Sequence, residues 1–211
     1  MERIQPGDAL LVVDVQNDFC PGGALAVPDG DAVVPAINRI TRAFPIVVAT
    51  QDWHPRGHIS FASRHTGKKP FEVIEIQGTE QVLWPDHCVE GTPGADFHPE
   101  LDATALRFVL RKGTSLDVDS YSAFAENDGR TSTGLAGLLR ELGVERVFVS
   151  GLATDVCVRA TALDGRGAGF QVALLEDACR PVDVLPGNLK RALEEMRGRG
   201  VRIFLTDELR A

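Results

Sequence analysis

The sequence predicts an α/β fold in which a doubly wound, mainly parallel sheet is covered by helices. Three observations predict it: short Val-rich runs recur along the chain, helix-period patterns separate them, and glycines mark the return from helix to strand. Strands are expected at residues 9–14, 46–50, 107–110, 146–150, 171–175 and 201–205. Most are continuous apolar runs rather than alternating ones, as suits strands buried on both faces. Between them, residues 31–43 place Val33, Val34, Ile37 and Ile40 at helical spacing. Residues 132–142 do the same with Leu135, Leu138, Leu139 and Leu142, and 155–163 and 188–199 follow the same rule. Gly143, Gly169 and Gly200 each end a helical pattern just before a strand. In such sheets ligands bind beyond the carboxyl ends of the strands, so chemistry is sought there.

At 211 residues the chain is expected to form one domain over 1–211, large enough to stay folded without disulfides. Its composition, 44% hydrophobic and 25% charged, is that of a globular protein rather than a disordered one. The net charge of -8 repels phosphate backbones and anionic lipid, so neither nucleic acid nor membrane is an expected partner. Residues 1–8 show no apolar signal core, and the longest apolar run, 9–13, is too short to span a bilayer. Cys20, Cys88, Cys157 and Cys179 lie far apart without a CxxC pair, which suits reduced thiols and a cytoplasmic location. Residues 53–101 are rich in His, Pro and Gly with little periodicity, and a loop region of that length is usually functional. No GxGxxG follows a strand, and GxxxxGK[ST], GxSxG and HExxH are all missing, which leaves a nucleotide-binding reading without support.

Three strand ends carry reactive groups. Asp14 ends the first strand, where a carboxylate needs a partner. Lys112 follows the third. Cys157 follows the fourth, at the expected first turn of a helix with Thr154 as its N-cap, a setting that favours an anion and predicts a thiol pKa below the free value. Cys20, Cys88 and Cys179 lack that setting and read as small buried hydrophobes. If the three ends converge, Asp14 takes the thiol proton, Lys112 holds the resulting charges, and the chemistry is acyl transfer through a thioester. Asp52 and His54, two apart in an extended segment, point to one side and form an incomplete metal site. The third ligand is sought among His58, His65, His87 and His98. Two imidazoles and a carboxylate suit zinc, iron or manganese.

Five segments together carry a resemblance: VDVQNDF at 13–19, DWHPRGHISF at 52–61, WPDHCVEGTPGADF at 84–97, YSAF at 121–124 and GLATDVC at 151–157. In these the chain resembles the nicotinamidases of the isochorismatase-like cysteine hydrolase superfamily, over residues 9–205. The first and last segments mark the superfamily, and the second and third mark the nicotinamidases. The resemblance implies a three-layer α/β/α fold with a six-stranded sheet and a metal- and substrate-binding region at about 52–101. It implies the triad Asp14, Lys112 and Cys157, the metal ligands Asp52, His54 and His87, and His58 as a fourth ligand or a neighbour behind them. It further implies a cis peptide before Ala153, an oxyanion hole from the Ala153 and Cys157 amides, and a ring pocket lined by Phe19, Trp84 and Tyr121. The implied reaction is metal-assisted hydrolysis of nicotinamide, and of pyrazinamide, to the acid and ammonia, in NAD salvage, with zinc the first choice of cofactor. The oligomeric state stays open, a homo-oligomer included. The alternatives are a related amide or carbamoyl hydrolase without the metal segments, and a non-catalytic zinc protein.

Overall fold

A computed structural model describes residues 1–76 and 78–210. Six strands form one parallel sheet: β1 (Asp8–Val13), β2 (Ile46–Asp52), β3 (Phe108–Lys112), β4 (Arg146–Leu152), β5 (Gln171–Arg180) and β6 (Arg202–Phe204). Their order across the sheet is β3-β2-β1-β4-β5-β6. The chain steps outward from β1 to β3, then returns to β4 and steps outward the other way, so the order reverses between β1 and β4. That reversal opens the crevice in which open α/β sheets bind ligands.

The helices are α1 (Val33–Thr41), α2 (Leu135–Glu141), α3 (Arg159–Gly167) and α4 (Asn188–Gly198). Alternate residues of β1 explain the layers. Leu10 and Val12 join the core under α1 with Val33, Val34, Ile37 and Ile40. Ala9, Leu11 and Val13 join the opposite core with Leu135, Leu139, Leu193 and Met196. Every residue of β1 is buried, so its unbroken apolar run is the signature of a strand covered on both faces. Each such Leu or Val contributes roughly 1.5–3 kcal/mol by leaving water. Strand β3 lies at the sheet edge, with Val109 half exposed, and its burial alternates.

Register sets up the site. Val13 pairs with Gly151, and Asp52 with Lys112, so Asp14, Asp52, Lys112 and the turn after β4 emerge side by side. Gly151 has φ +109, and a Cβ there would sit 2.0 Å from the Val13 carbonyl oxygen, so only glycine lets the two strands close up at this point. The expected positions of all six strands and four helices are recovered, with ends moved by a few residues. Gly143, Gly169 and Gly200 have φ +71, +94 and +80, as helix-ending glycines do. Two pairings were not expected: within the long loop region, Val73–Ile76 and Thr79–Val82 pair as an antiparallel hairpin, and Glu2–Arg3 pairs in parallel with Leu209–Arg210.

Candidate active site and metal centre

The three strand-end groups converge. Lys112 Nζ lies 2.9 Å from Asp14 Oδ2 and 3.6 Å from Cys157 Sγ, and it donates to Asp52 Oδ1 (2.5 Å) and to the Ser120 carbonyl (2.9 Å). A carboxylate oxygen of Asp14 lies within 4.8 Å of the Cys157 sulfur. Asp14 and Lys112 are wholly buried. Thr50 fixes one side of Asp14: its hydroxyl donates to Oδ1 (2.6 Å) and accepts from the Asp14 N–H (3.1 Å). The other oxygen, Oδ2, is at ion-pair distance from Lys112 yet accepts no hydrogen bond among the described residues. Oδ1 is taken up by Thr50, whereas Oδ2 is held by its ion pair with Lys112.

The electrostatics follow from burial. Burial raises the Asp14 pKa to about 6, against the pull of Lys112 and with help from Asp52. Burial also opposes the charge on Lys112, but Asp14 and Asp52 outweigh it and hold the ammonium well above its usual range. The expectation of a lowered Cys157 pKa is not met. Burial pushes that thiol well up; Lys112 works against the shift, while Asp14, Asp52 and Asp119 add to it. The resting group is a thiol, and ionising it requires handing its proton to a neighbour.

The expected cap is also corrected. Ala153, extended at φ -95 and ψ 146, precedes the turn, and Thr154 lies inside it. Residues Thr154–Val158 form a wide π-helical turn in which the Ala153 carbonyl accepts from Val156 and Val158, and α3 starts only at Arg159. This carries Cys157 over the crevice rather than into the first turn of an α-helix. The peptide between Leu152 and Ala153 is cis, as the resemblance implies.

Beside this group, Asp52 Oδ2 lies 3.7 Å from His54 Nε2 and 3.9 Å from His87 Nε2. His54 Nδ1 donates to the Gly113 carbonyl (2.9 Å) and His87 Nδ1 to the Pro85 carbonyl (2.7 Å). Each imidazole therefore turns Nε2 toward the carboxylate, the nitrogen that would face a cation, which is how metal-binding histidines are oriented. Burial and the neighbouring His54 push His87 down to about 4, so it is neutral, the ligand form. Burial opposes the charge on Asp52, but Lys112, His54 and His87 outweigh it and keep the carboxyl ionised. This donor set fits a divalent cation. His58 donates from Nε2 to the Val118 carbonyl (3.1 Å), accepts at Nδ1 from Ser60 Oγ (2.8 Å), and stacks on His54 with centroids 4.2 Å apart. Among the described residues no cluster of potential metal ligands includes His65 or His98.

Phe19, Trp84 and Tyr121 line one pocket together with Ala153, Cys157 and His87. Trp84 Nε1 donates to the Tyr121 hydroxyl (3.2 Å), which sets the two rings nearly perpendicular, at 83°. Several contributors were not anticipated. Asp119 lines the pocket and brings a carboxylate oxygen within 4.8 Å of His54 and His58. Gln16 accepts from the Asp52 N–H and donates to the Asp52 carbonyl (both 2.8 Å), gripping the Asp52 backbone. Gln16 stands two residues after Asp14 in a quoted segment, so its position was the available signal. Asp119 stands two residues before Tyr121 of the YSAF segment, and that position was its available signal.

Residues 8–208 match the isochorismatase domain family. The chain is 50% identical to a nicotinamidase of Acinetobacter baylyi over 92% of this chain and 90% of that one. Its fold is similar to that of an Acinetobacter baumanii nicotinamidase/pyrazinamidase (TM-score 0.95, 50% identity, 97% of this chain and 98% of that one). It is also similar to a pyrazinamidase of Pyrococcus horikoshii solved in complex with zinc (TM-score 0.76, 44% identity, 95% and 99% covered). The chain belongs to the isochorismatase family. Within it, the chain is an amide hydrolase of the nicotinamidase group, acting on a carboxamide C–N bond.

Proposed function

We propose that the chain hydrolyses nicotinamide to nicotinate and ammonia, and pyrazinamide likewise, through a thioester on Cys157. The observation that carries this reading is that Lys112 joins buried Asp14 to Cys157, and that Cys157 lines an aromatic pocket together with Asp52, His54 and His87. Asp52, His54 and His87 would hold a divalent cation, with zinc the first choice because the Pyrococcus relative was solved with it. What that cation supplies is Lewis acidity, a hold on the ring nitrogen directly or through water. His58, with both ring nitrogens engaged, is assigned to positioning His54.

Phe19, Trp84 and Tyr121 take the flat ring by apolar contact and leave its carboxamide facing Cys157. Asp14 Oδ2 accepts the thiol proton as sulfur attacks the carbonyl carbon, and Lys112 stabilises both charges. The carbonyl oxygen, now an oxyanion, is assigned to the Ala153 and Cys157 amides. Asp14 then passes its proton to the nitrogen, the C–N bond breaks, and ammonia leaves. Asp14 next takes a proton from water, whose oxygen attacks the thioester. The C–S bond breaks, Asp14 returns its proton to the departing sulfur to restore the thiol, and the acid leaves, losing its own proton to water as nicotinate. We place the reaction in NAD salvage and in the cytoplasm, with which four free thiols are compatible. No described helix is long and apolar enough to cross a membrane.

The test is ammonia release from nicotinamide by the purified chain, before chelation, after it, and after zinc is returned. Loss and recovery are expected. Turnover indifferent to chelation would remove the cation from the reaction and favour a metal-free amide hydrolase of the same family.

A further inference from the structure

Asp155 stands two residues before Cys157, on the same π-helical turn, and none of the chemistry above uses it. Its carboxylate is spent on another segment. Oδ1 accepts from the Val182 N–H (2.9 Å) and Oδ2 from the Asp183 N–H (2.9 Å). Those amides belong to residues 181–187, which join the end of β5 at Arg180 to the start of α4 at Asn188 without strand or helix of their own. Val182 lines the ring pocket alongside Val156 and Cys157. The far end of the segment is held too. Asp183, at φ +45, accepts from the Leu189 N–H (3.2 Å), and Glu195 of α4 accepts from Arg159 Nε (2.7 Å) at the start of α3. The pocket wall is thus fastened to the nucleophile's own turn by one side chain that takes two backbone amides.

We propose that Asp155 is a positioning residue that sets the ring-size limit of the pocket by clasping the Val182 wall to the Cys157 turn. The inference rests on the reading of this pocket as the ring site. Two charge-assisted hydrogen bonds to adjacent amides fix both the distance and the tilt of the wall, which one bond alone does not. Releasing them lets residues 181–187 move away from the ring. A single flat ring then loses its contact with Val182, and a fused second ring gains room.

The experiment compares kcat/KM for nicotinamide and for quinoline-3-carboxamide in the wild-type chain, Asp155→Ala, Asp155→Asn and Val182→Ala. The ratio favouring the monocyclic amide is expected to fall about 10-fold or more in Asp155→Ala and in Val182→Ala, on the scale that small changes in an apolar pocket produce. Asp155→Asn keeps one acceptor oxygen and should fall between. Should Asp155→Ala fail to fold, the Asn and Val182 variants still decide. Hydrogen exchange at the Val182 and Asp183 amides should quicken in the Asp155 variants while the β4 amides stay protected. A ratio unchanged within about twofold, or both amides slowed equally, overturns the proposal by making Asp155 merely structural. Wild-type failure on nicotinamide would overturn the substrate assignment alone, and amide exchange would still show whether the clasp exists.

Discussion

Strand β1 begins with Asp8 and is followed directly by Asp14, each beside a basic partner, and the two ends are built in opposite ways. At the amino end, both oxygens of Asp8 are matched by Arg146, through Nε (2.9 Å) and Nη2 (2.6 Å), and the Gln5 N–H adds a third bond (2.7 Å). Glu2 extends the pairing to Arg146 and Arg202. At the carboxyl end, Asp14 shares one ammonium with Asp52 and the sulfur, and one of its oxygens accepts no hydrogen bond among the described residues beyond its ion pair with Lys112. Charge and burial alone do not tell a structural cluster from a reactive one. The difference lies in satisfaction: the first cluster has a donor for each oxygen, and the second keeps an acceptor in reserve.

The largest effect expected at the reactive end is from Cys157→Ala, which should lower ammonia release at least about 10⁴-fold while nicotinate binding, read by calorimetry, persists. Retained turnover would take the nucleophile's role from Cys157. Next, Lys112→Met and Arg146→Met test the comparison directly. Both leave an uncompensated aspartate and should lose about 3–5 kcal/mol in urea unfolding. Only Lys112→Met should also lose activity, by about 10³-fold, while Arg146→Met stays within about threefold of wild type. Equal losses of activity would erase the distinction between the two ends.

A smaller effect is expected at Gly113, whose carbonyl holds His54. A Cβ there would lie 2.4 Å from His54 Cε1, and φ is +62. Gly113→Ala should weaken zinc binding about 10- to 100-fold in competition with a chromogenic chelator, as loss of an orienting partner does. Unchanged affinity would mean that His54 is held some other way. The smallest effect is with pH. Asp14 accepts a proton only while ionised, so kcat/KM should fall about tenfold per unit below its pKa of about 6. A flat profile down to pH 5 would count against Asp14 as the base. The same upward shift means that folded Asp14 holds its proton more readily than unfolded Asp14. Its contribution to stability is therefore full below about pH 4 and is lost as pH rises through about 6.

Much of this was legible in the sequence because the sheet is parallel and covered on both faces. Its strands had to be unbroken apolar runs, and those runs located the carboxyl ends where Asp14, Lys112 and Cys157 lie. The clustering of Asp52, His54 and His87 and the aromatic wall of Phe19, Trp84 and Tyr121 followed from the five motif segments. The short hairpin was not, since Val73–Ile76 is only four residues long with exposed positions at Val73 and Glu75, too weak an alternation to stand out in a His-, Pro- and Gly-rich stretch. The turn after β4 misled for a different reason. Thr154 is a good cap by type, but the widening of the turn depends on backbone shape at Ala153, which side-chain preferences do not encode. The sign of the Cys157 shift also escaped, because a helix start favours a thiolate only where burial does not outweigh it, and burial is decided by distant segments.

Asp52 divides its two oxygens between different clients, Oδ1 toward Lys112 and Oδ2 toward the imidazoles of His54 and His87. One rigid carboxylate is therefore the shared wire between the cation seat and the sulfur. Under the proposed function, stripping the cation would alter the field at Cys157 without touching it, so an electrophile would meet a different thiol in chelated and in loaded enzyme. Inhibitor potencies would then have meaning only with the metal content of the sample stated beside them.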